Sequence, residues 1–455
     1  MLLARFLSVC LCLRPLTMAS EADCKALHDK FLALPGLLHP VEREAAGQVE
    51  AEAEAAAAAA VQVVGAGEVR RVCLCGAGHG SHVMAALLAS KGIAVSIFAT
   101  RPQHVEKFER EGLAVAAEYP GAERRTVAGA LSVVTADPEV AAEGADLVVL
   151  CLPTFLHERV LRAVVPFLRP GTPVGAVKGG WWGKPPLPGM AGLTFFVMET
   201  LPWACRVDKG HTATVLGTKA CVRLGSSPAG AAPGLCSLMS ELLEIHFQPA
   251  ANLLGSCTFF PGFVLHPGIM YGLLGQWDGE AFEKAPLFYQ GVDSHTEGVL
   301  QGLQADIDHA KAKLQALLPG VDLSSVGTVH DWLCEAYQGQ IGDPTTLGSA
   351  LRTNSAYAGL VAPSQPNPKG PGRVPLFDYR YLTEDAEVHL TVIRGMAELV
   401  GVPTPTLDRV LGWVQARLGR EWLRDGKMQG RDLAKTRAPQ AFGIRSVEAL
   451  LQSVQ

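Results

Sequence analysis

His266 stands directly before Pro267 in FVLHPGIMYG, so its imidazole falls at the entrance of a helix that the proline can open. Further on, RYLTEDAEVH (380–389) brings Arg380, Glu384 and Asp385 together just ahead of another helix. An imidazole ordinarily titrates near neutrality and so can take up or release a proton. An aspartate such as Asp385 can orient that ring, and a guanidinium such as Arg380 can clamp a carboxylate through two parallel hydrogen bonds. Each has a plainer reading. A lone His is more often structural, and an Arg/Glu/Asp cluster ahead of a helix is usually a cap. Glu199 in METLPWACR (198–206) is a third candidate. It follows the strand-like TFFV, and the C-terminal ends of strands are where open α/β sheets contact ligands. A carboxylate there suits a cationic group; the alternative is an ordinary surface glutamate. Trp203 and Cys205 are equally pocket wall or core.

The turn CGAGHGSH carries Gly76, Gly78 and Gly80. In a dinucleotide fold the first glycine permits the tight turn and the second lets the backbone approach the pyrophosphate. The helix N-terminus then offers free N–H groups and positive dipole potential to the phosphates. The third glycine is displaced by one, and Ser81 holds its usual place, still small enough for close packing. The end of the second strand normally carries an acid for the adenosine ribose. Here Thr100, Arg101 and Pro102 stand there instead. Arg101 can hold a 2′-phosphate, which favours NADP, or stack on adenine, or simply be solvated. From residues alone the cofactor choice stays even.

These groups need elements to position them. RRVCLCGAGHGSHVMAALLASKGIAVSIFAT (70–100) reads as strand, glycine turn, helix, strand, with Val72–Cys75 and Ala94–Phe98 as strands. ADLVVLCLP (145–153) is apolar along its length, as a buried parallel strand is. It ends in Pro153, which is grouped with Gly76, Gly78, Gly80, Ser81 and Arg101 as a cofactor contact. PVGAV (173–177) and TFFVM (194–198) repeat the pattern. The expected fold class is α/β, a doubly wound Rossmann-type parallel sheet. After about residue 250 the period becomes helical, as in 297–318, 386–400 and 407–419. A mostly α-helical C-terminal domain is expected from there, with APSQPNPKGPGRVP (362–375) as a Pro/Gly loop.

Composition narrows the partners. The net charge of −5 gives no electrostatic reason to expect nucleic acid. No apolar run is read as reaching the roughly 18 to 20 residues that span a bilayer. The eleven Cys show neither C-x-x-C nor Cys/His zinc spacing, so no metal is expected and buried reduced thiols are. Cys73 and Cys75 point to one face of their strand. The first 20 residues carry Arg5 and Arg14 in an apolar run, and fit a secretory signal, an organellar transit peptide, or sequence upstream of a start at Met18. EAEAAAAAAV (52–61) reads as a helical linker.

Taken together, GAGHGSH (76–82), LPTFLHE (152–158), ETLPWACRV (199–207), VLGTK (215–219), HPGIMYGLLGQWDG (266–279), APLFYQGVD (285–293) and RYLTED (380–385) resemble the octopine and related opine dehydrogenases. The resemblance runs from about residue 70 to about residue 450 and leaves out the first 67. It implies a nucleotide domain over 68–253 and a helical domain over 254–455, with the active site in the cleft between them. In that family an amino acid and pyruvate condense to an imine, which NADH reduces to an N-(1-carboxyalkyl) amino acid. The resemblance puts the catalytic His on His266, its partner on Asp385 and the carboxylate-binding Arg on Arg380. The acidic residue facing the amino acid falls on Glu199, beside Thr200, and an aromatic of the amino-acid pocket falls on Trp332. It also tips the even cofactor choice towards NAD, with NADP the alternative, and implies a monomer; a cytoplasmic enzyme is expected, with organellar or secretory targeting by the first 20 residues as the alternative. One segment departs: KGGWWGKPPLPG (178–189) puts Gly179 where relatives carry a Gln that contacts the 2-oxo acid, with Trp181 and Trp182 nearby. The competing readings are a hydroxy-acid or sugar-phosphate dehydrogenase of two domains, and a non-catalytic nucleotide sensor. The first wants a Lys/Arg cluster that the helical landmarks lack, and the second should have lost His266 or its partners.

Overall fold

The computed structural model describes residues 65–120, 124–179, 192–318, 321–323 and 325–454. The targeting and linker expectations, and Trp181 and Trp182, lie outside the described residues.

Among the described residues, twelve strands build the first part of the chain. They are β1 (Arg71–Cys75), β2 (Ala94–Phe98), β3 (Ala114–Tyr119), β4 (Arg125–Ala130), β5 (Val133–Thr135), β6 (Leu147–Leu150), β7 (Pro173–Val177), β8 (Thr194–Met198), β9 (Trp203–Lys209), β10 (Thr212–Thr218), β11 (Cys221–Ser227) and β12 (His246–Pro249). Eight of them form one sheet in the order β12-β11-β8-β7-β6-β1-β2-β5. All neighbours are parallel except β11, which runs antiparallel to β8. The sheet is therefore mixed rather than purely parallel, with the expected doubly wound character at its centre. β6, β7 and β8 are buried at every residue, because helices cover both faces. Along β1 the alternation splits the side chains. Val72 and Leu74 enter one apolar cluster, and Cys73 and Cys75 enter the other.

β4-β3-β10-β9 form a second, smaller sheet that the sequence reading did not anticipate. It packs on helix α1 (His79–Ser90), where Gly129 of β4 lies against Ala89. The helical half has its own core, which runs from Leu254 to Leu450. Its long elements are α2 (Leu265–Leu274), α3 (Ser294–Leu317), α4 (Val329–Ala336), α5 (Thr391–Leu399) and α6 (Pro405–Leu418). One expectation needs correction: Leu253–Leu274 is long and apolar enough by composition to cross a membrane. Burial of 89% of that window inside the protein accounts for its apolarity.

Candidate active site

Gly76 ends β1 with φ +108°, a backbone conformation costly for any residue with a Cβ. A Cβ there would also lie 2.6 Å from the Cys151 carbonyl oxygen. Gly78 caps α1, and a Cβ added to it would meet nothing within 4 Å. Among the described residues no side chain caps the helix, and no acid lies in its first turn. An unobstructed, uncapped N-terminus after a glycine turn fits the pyrophosphate of a dinucleotide. Gly80 and Ser81 lie inside the first turn and serve packing. A Cβ on Gly80 would meet Leu201 at 2.5 Å, and the Ser81 hydroxyl donates to the Cys151 carbonyl at 3.4 Å. Pro153 follows β6 on the same edge of the sheet, and Arg101 is the exposed N-cap of the helix after β2. Gly76→Ala should cost about 1–2 kcal/mol for its backbone conformation and about 1–3 kcal/mol for overpacking. Urea unfolding measures the sum, and an unchanged midpoint would contradict it.

His266 occupies the first turn of α2. Its Nδ1 lies 2.5 Å from Asp385 Oδ2, and its Nε2 lies 2.9 Å from the Tyr289 hydroxyl. Asp385 is 3% exposed and ionised, so Nδ1–H donates to it and Nε2 is left to accept from Tyr289 O–H. Tyr381 stacks on the imidazole, with centroids 3.7 Å apart and planes at 4°. The His266 side chain keeps 21% exposure, so the ring is held yet reachable. Burial pulls its pKa below the ordinary value; Asp385 pushes it up, and Lys178 and Arg380 push it down.

Asp385 opens a π-helical turn, Asp385–Leu390, between the short helix Arg380–Thr383 and α5. Such turns recur at functional sites. Here the turn puts Asp385 against His266 and carries His389 onto the face of Phe263 at 3.8 Å. The second oxygen of Asp385 receives Lys178 Nζ at 2.7 Å. Burial alone would raise the Asp385 carboxyl, but the Lys178 charge and the His266 hydrogen bond outweigh it and hold it well below the usual carboxylate range.

Lys178 was given no role by the sequence reading. It follows β7 with φ +67°, and its N–H still donates to Met198 O at 2.9 Å. Its side chain is 13% exposed, with the ammonium 5.2 Å from the Phe263 ring centre. A charged residue ending the apolar strand PVGAV was the available signal. Next to it, a Cβ on Gly179 would lie 2.7 Å from Cys257 Sγ, so no larger side chain enters there without movement.

Arg380 lies 3.6 Å from Glu384 through Nε, and 54% of its side chain is exposed. Among the described residues only that carboxylate pairs with it, which leaves its terminal nitrogens available. Glu384 in turn accepts from the Thr154 N–H at 3.2 Å, tying the Arg380 segment to the end of β6.

Glu199, just past β8, and Trp332, on α4, line one cavity together with Arg223, Phe260, Asp331 and Glu335. Phe260 meets Trp332 edge-on at 4.9 Å, and Phe263, one turn on, lies beneath Lys178. The cavity wall therefore continues directly into the segment that leads to His266. Glu199 is buried, which raises its carboxyl to about 7, although the Arg223 N–H donates to it at 3.2 Å. Thr200 is buried beside Glu199 but does not line this cavity.

The family model described as "NAD/NADP octopine/nopaline dehydrogenase, alpha-helical domain" matches residues 249–418. "Ketopantoate reductase PanE/ApbA" matches residues 72–221. Octopine dehydrogenase of Mizuhopecten yessoensis is 34% identical over 407 residues, covering 84% of this chain and 98% of that protein. Tauropine dehydrogenase of Arabella iricolor is 30% identical over 408 residues, covering 83% and 99%. A solved structure of octopine dehydrogenase with NADH and L-arginine superposes with a TM-score of 0.72 at 32% identity, covering 84% of this chain and 97% of that one.

Proposed function

The chain belongs to the octopine/opine dehydrogenase family, and from that premise we propose how its own residues carry out the family's reaction. The enzyme is an NAD-dependent oxidoreductase acting on CH–NH donors. It condenses an amino acid with pyruvate or a similar 2-oxo acid, reversibly, to an N-(1-carboxyalkyl) amino acid. The observation that carries the assignment of roles is the Lys178–Asp385–His266 line, at 2.7 and 2.5 Å, with Arg380 on the short helix just before Asp385.

The amine must lose a proton before it attacks the 2-oxo carbonyl. Glu199, with a carboxyl raised to about 7 by burial, is suited to hold the ammonium and accept that proton. Arg380 grips the 2-oxo-acid carboxylate and fixes which face of the imine is presented. Water leaves as the imine forms. NADH, when bound along Gly76–Ser81, Arg101 and Pro153, supplies the hydride that reduces the imine carbon. His266 exchanges the accompanying proton at Nε2, the nitrogen now hydrogen-bonded to Tyr289. Asp385 fixes the ring's tautomer, and Lys178 holds Asp385 charged and in place. We assign residues 68–253 to nucleotide binding and 254–455 to the substrate and catalytic domain, and infer a monomer acting in the cytoplasm.

The direct test follows NADH absorbance with the purified full-length chain, pyruvate and a panel of amino acids. Oxidation should require both the amino acid and pyruvate. Oxidation with pyruvate alone would make the enzyme a simple oxo-acid reductase. A second expectation concerns Glu199. For the amino acid, kcat/KM should rise about tenfold from about pH 6 to about pH 8 as this carboxyl ionises, and Glu199→Gln should flatten that limb. Stability runs the other way. A carboxyl raised on folding favours the native state below its unfolded value, and that contribution is lost as pH rises through about 7. The variant should not lose it.

A further inference from the structure

The cavity lined by Glu199 and Trp332 already contains a cation of its own. Arg223, on β11, places Nη2 2.5 Å from Glu335 Oε2 on α4. The same residue is locked to Glu199 by two backbone bonds: the Glu199 N–H donates to Arg223 O at 3.0 Å, and the Arg223 N–H donates to Glu199 Oε1 at 3.2 Å. The guanidinium pairs with Glu335, and its positive charge acts on Glu199 as well. The other lining carboxylates are committed or peripheral. Asp331 accepts from the N–H and hydroxyl of Thr328, the N-cap of α4, in a capping box, and Asp322 is exposed. On the same wall, Trp332 is 5% exposed and its indole N–H has no acceptor among the described residues.

A substrate guanidinium or ammonium side chain needs an uncompensated carboxylate. Glu335 is taken by Arg223, and Glu199 is assigned to the substrate's α-amine. Arg223 and Glu335 compensate each other, so an entering cation gains no free carboxylate to replace the water it leaves. A neutral side chain needs no counter-ion, and one carrying an acceptor also satisfies the Trp332 N–H. We propose that Arg223, by occupying Glu335, makes this pocket selective for amino acids with uncharged side chains over arginine and lysine. This rests on the opine dehydrogenase reading and specifies its amino-acid substrate.

The experiment measures kcat/KM with NADH, pyruvate and either L-arginine, L-lysine, L-alanine, L-serine, glycine, β-alanine, taurine or L-glutamate, using the full-length chain. The best non-cationic substrate should exceed L-arginine by about 100-fold. Arg223→Gln, which keeps a hydrogen-bond donor for Glu335, should narrow that ratio at least about tenfold. L-Arginine turned over as well as the best neutral substrate would overturn the selectivity while leaving the opine reaction standing. If no pair is turned over, the reaction itself falls, and calorimetric titration of the NADH-loaded chain decides the selectivity alone. L-Alanine or L-serine binding where L-arginine does not upholds it. Arginine binding equally well or better, or neither binding, overturns it.

Discussion

His266→Ala should lower turnover by about 10³-fold while NADH affinity stays within about twofold. The ring nitrogen that faces Tyr289 belongs to the partly exposed group of this cluster that can both take up and release a proton, although burial pulls its pKa below the ordinary value. Asp385, its other partner, is 3% exposed and held ionised, so it cannot take over the proton. General acid–base groups of this kind typically contribute about 10²- to 10⁴-fold. The proposed cofactor contacts lie elsewhere, at the end of β1 and the start of α1, so NADH fluorescence titration should barely change. Asp385→Asn should also slow turnover. An amide can donate to Nδ1 and so stabilise the wrong tautomer, and it leaves Lys178 without its counter-ion. Steady-state rates of both variants, normalised to NADH-binding sites, make the measurement. Near-wild-type turnover of His266→Ala would remove His266 from the mechanism.

The sequence made the parallel strands legible because both their faces are buried. LVVL and TFFVM leave no polar alternation to misread. The glycine turn was legible because a glycine suits φ +108° at Gly76 and the close approach of Leu201 at Gly80. The smaller sheet was missed because its strands are rich in Ala and Thr, as in AVAAEY and RTVAGA, with little apolar contrast between faces. The site was half legible. Pro267 and the charged helix entrance made His266, Asp385 and Arg380 candidates, but their roles came from the family resemblance, because a structural His and a capping cluster leave the same local trace. The π-helical turn at Asp385 left no periodic trace over six residues. Lys178 and Arg223 escaped notice because each derives its meaning from a residue far along the chain. Asp385 is 207 positions from Lys178, and Glu335 is 112 positions from Arg223.

Lys178→Met should destabilise the chain by about 3 kcal/mol near pH 7, the cost of leaving a buried carboxylate without its cation. The native chain tolerates a left-handed backbone at this lysine, a conformation costing about 1–3 kcal/mol, and the ammonium delivered to Asp385 is what compensates for it. The pH dependence has a definite sign. Asp385 is held below the usual carboxylate range in the folded state, so its contribution is present above the unfolded value of about 4 and is lost as pH falls through the depressed one. The gap between wild type and variant should therefore be full near neutrality and shrink in acid. Catalysis reports separately. The charged and titratable groups facing His266 are Asp385, Lys178, Arg380, Tyr289 and Tyr381, and Lys178 is one of two cations that push the imidazole pKa down. Removing it should raise that pKa. The acid limb of opine oxidation, which needs the neutral ring, should then move to higher pH, and the imidazolium that donates during reduction should persist further into base. Lys178→Arg should restore most of both effects. A purely structural lysine would change the urea midpoint and leave the limb where it was. A limb that moves in Lys178→Met and returns in Lys178→Arg would make Lys178 part of the apparatus that sets the proton affinity of His266.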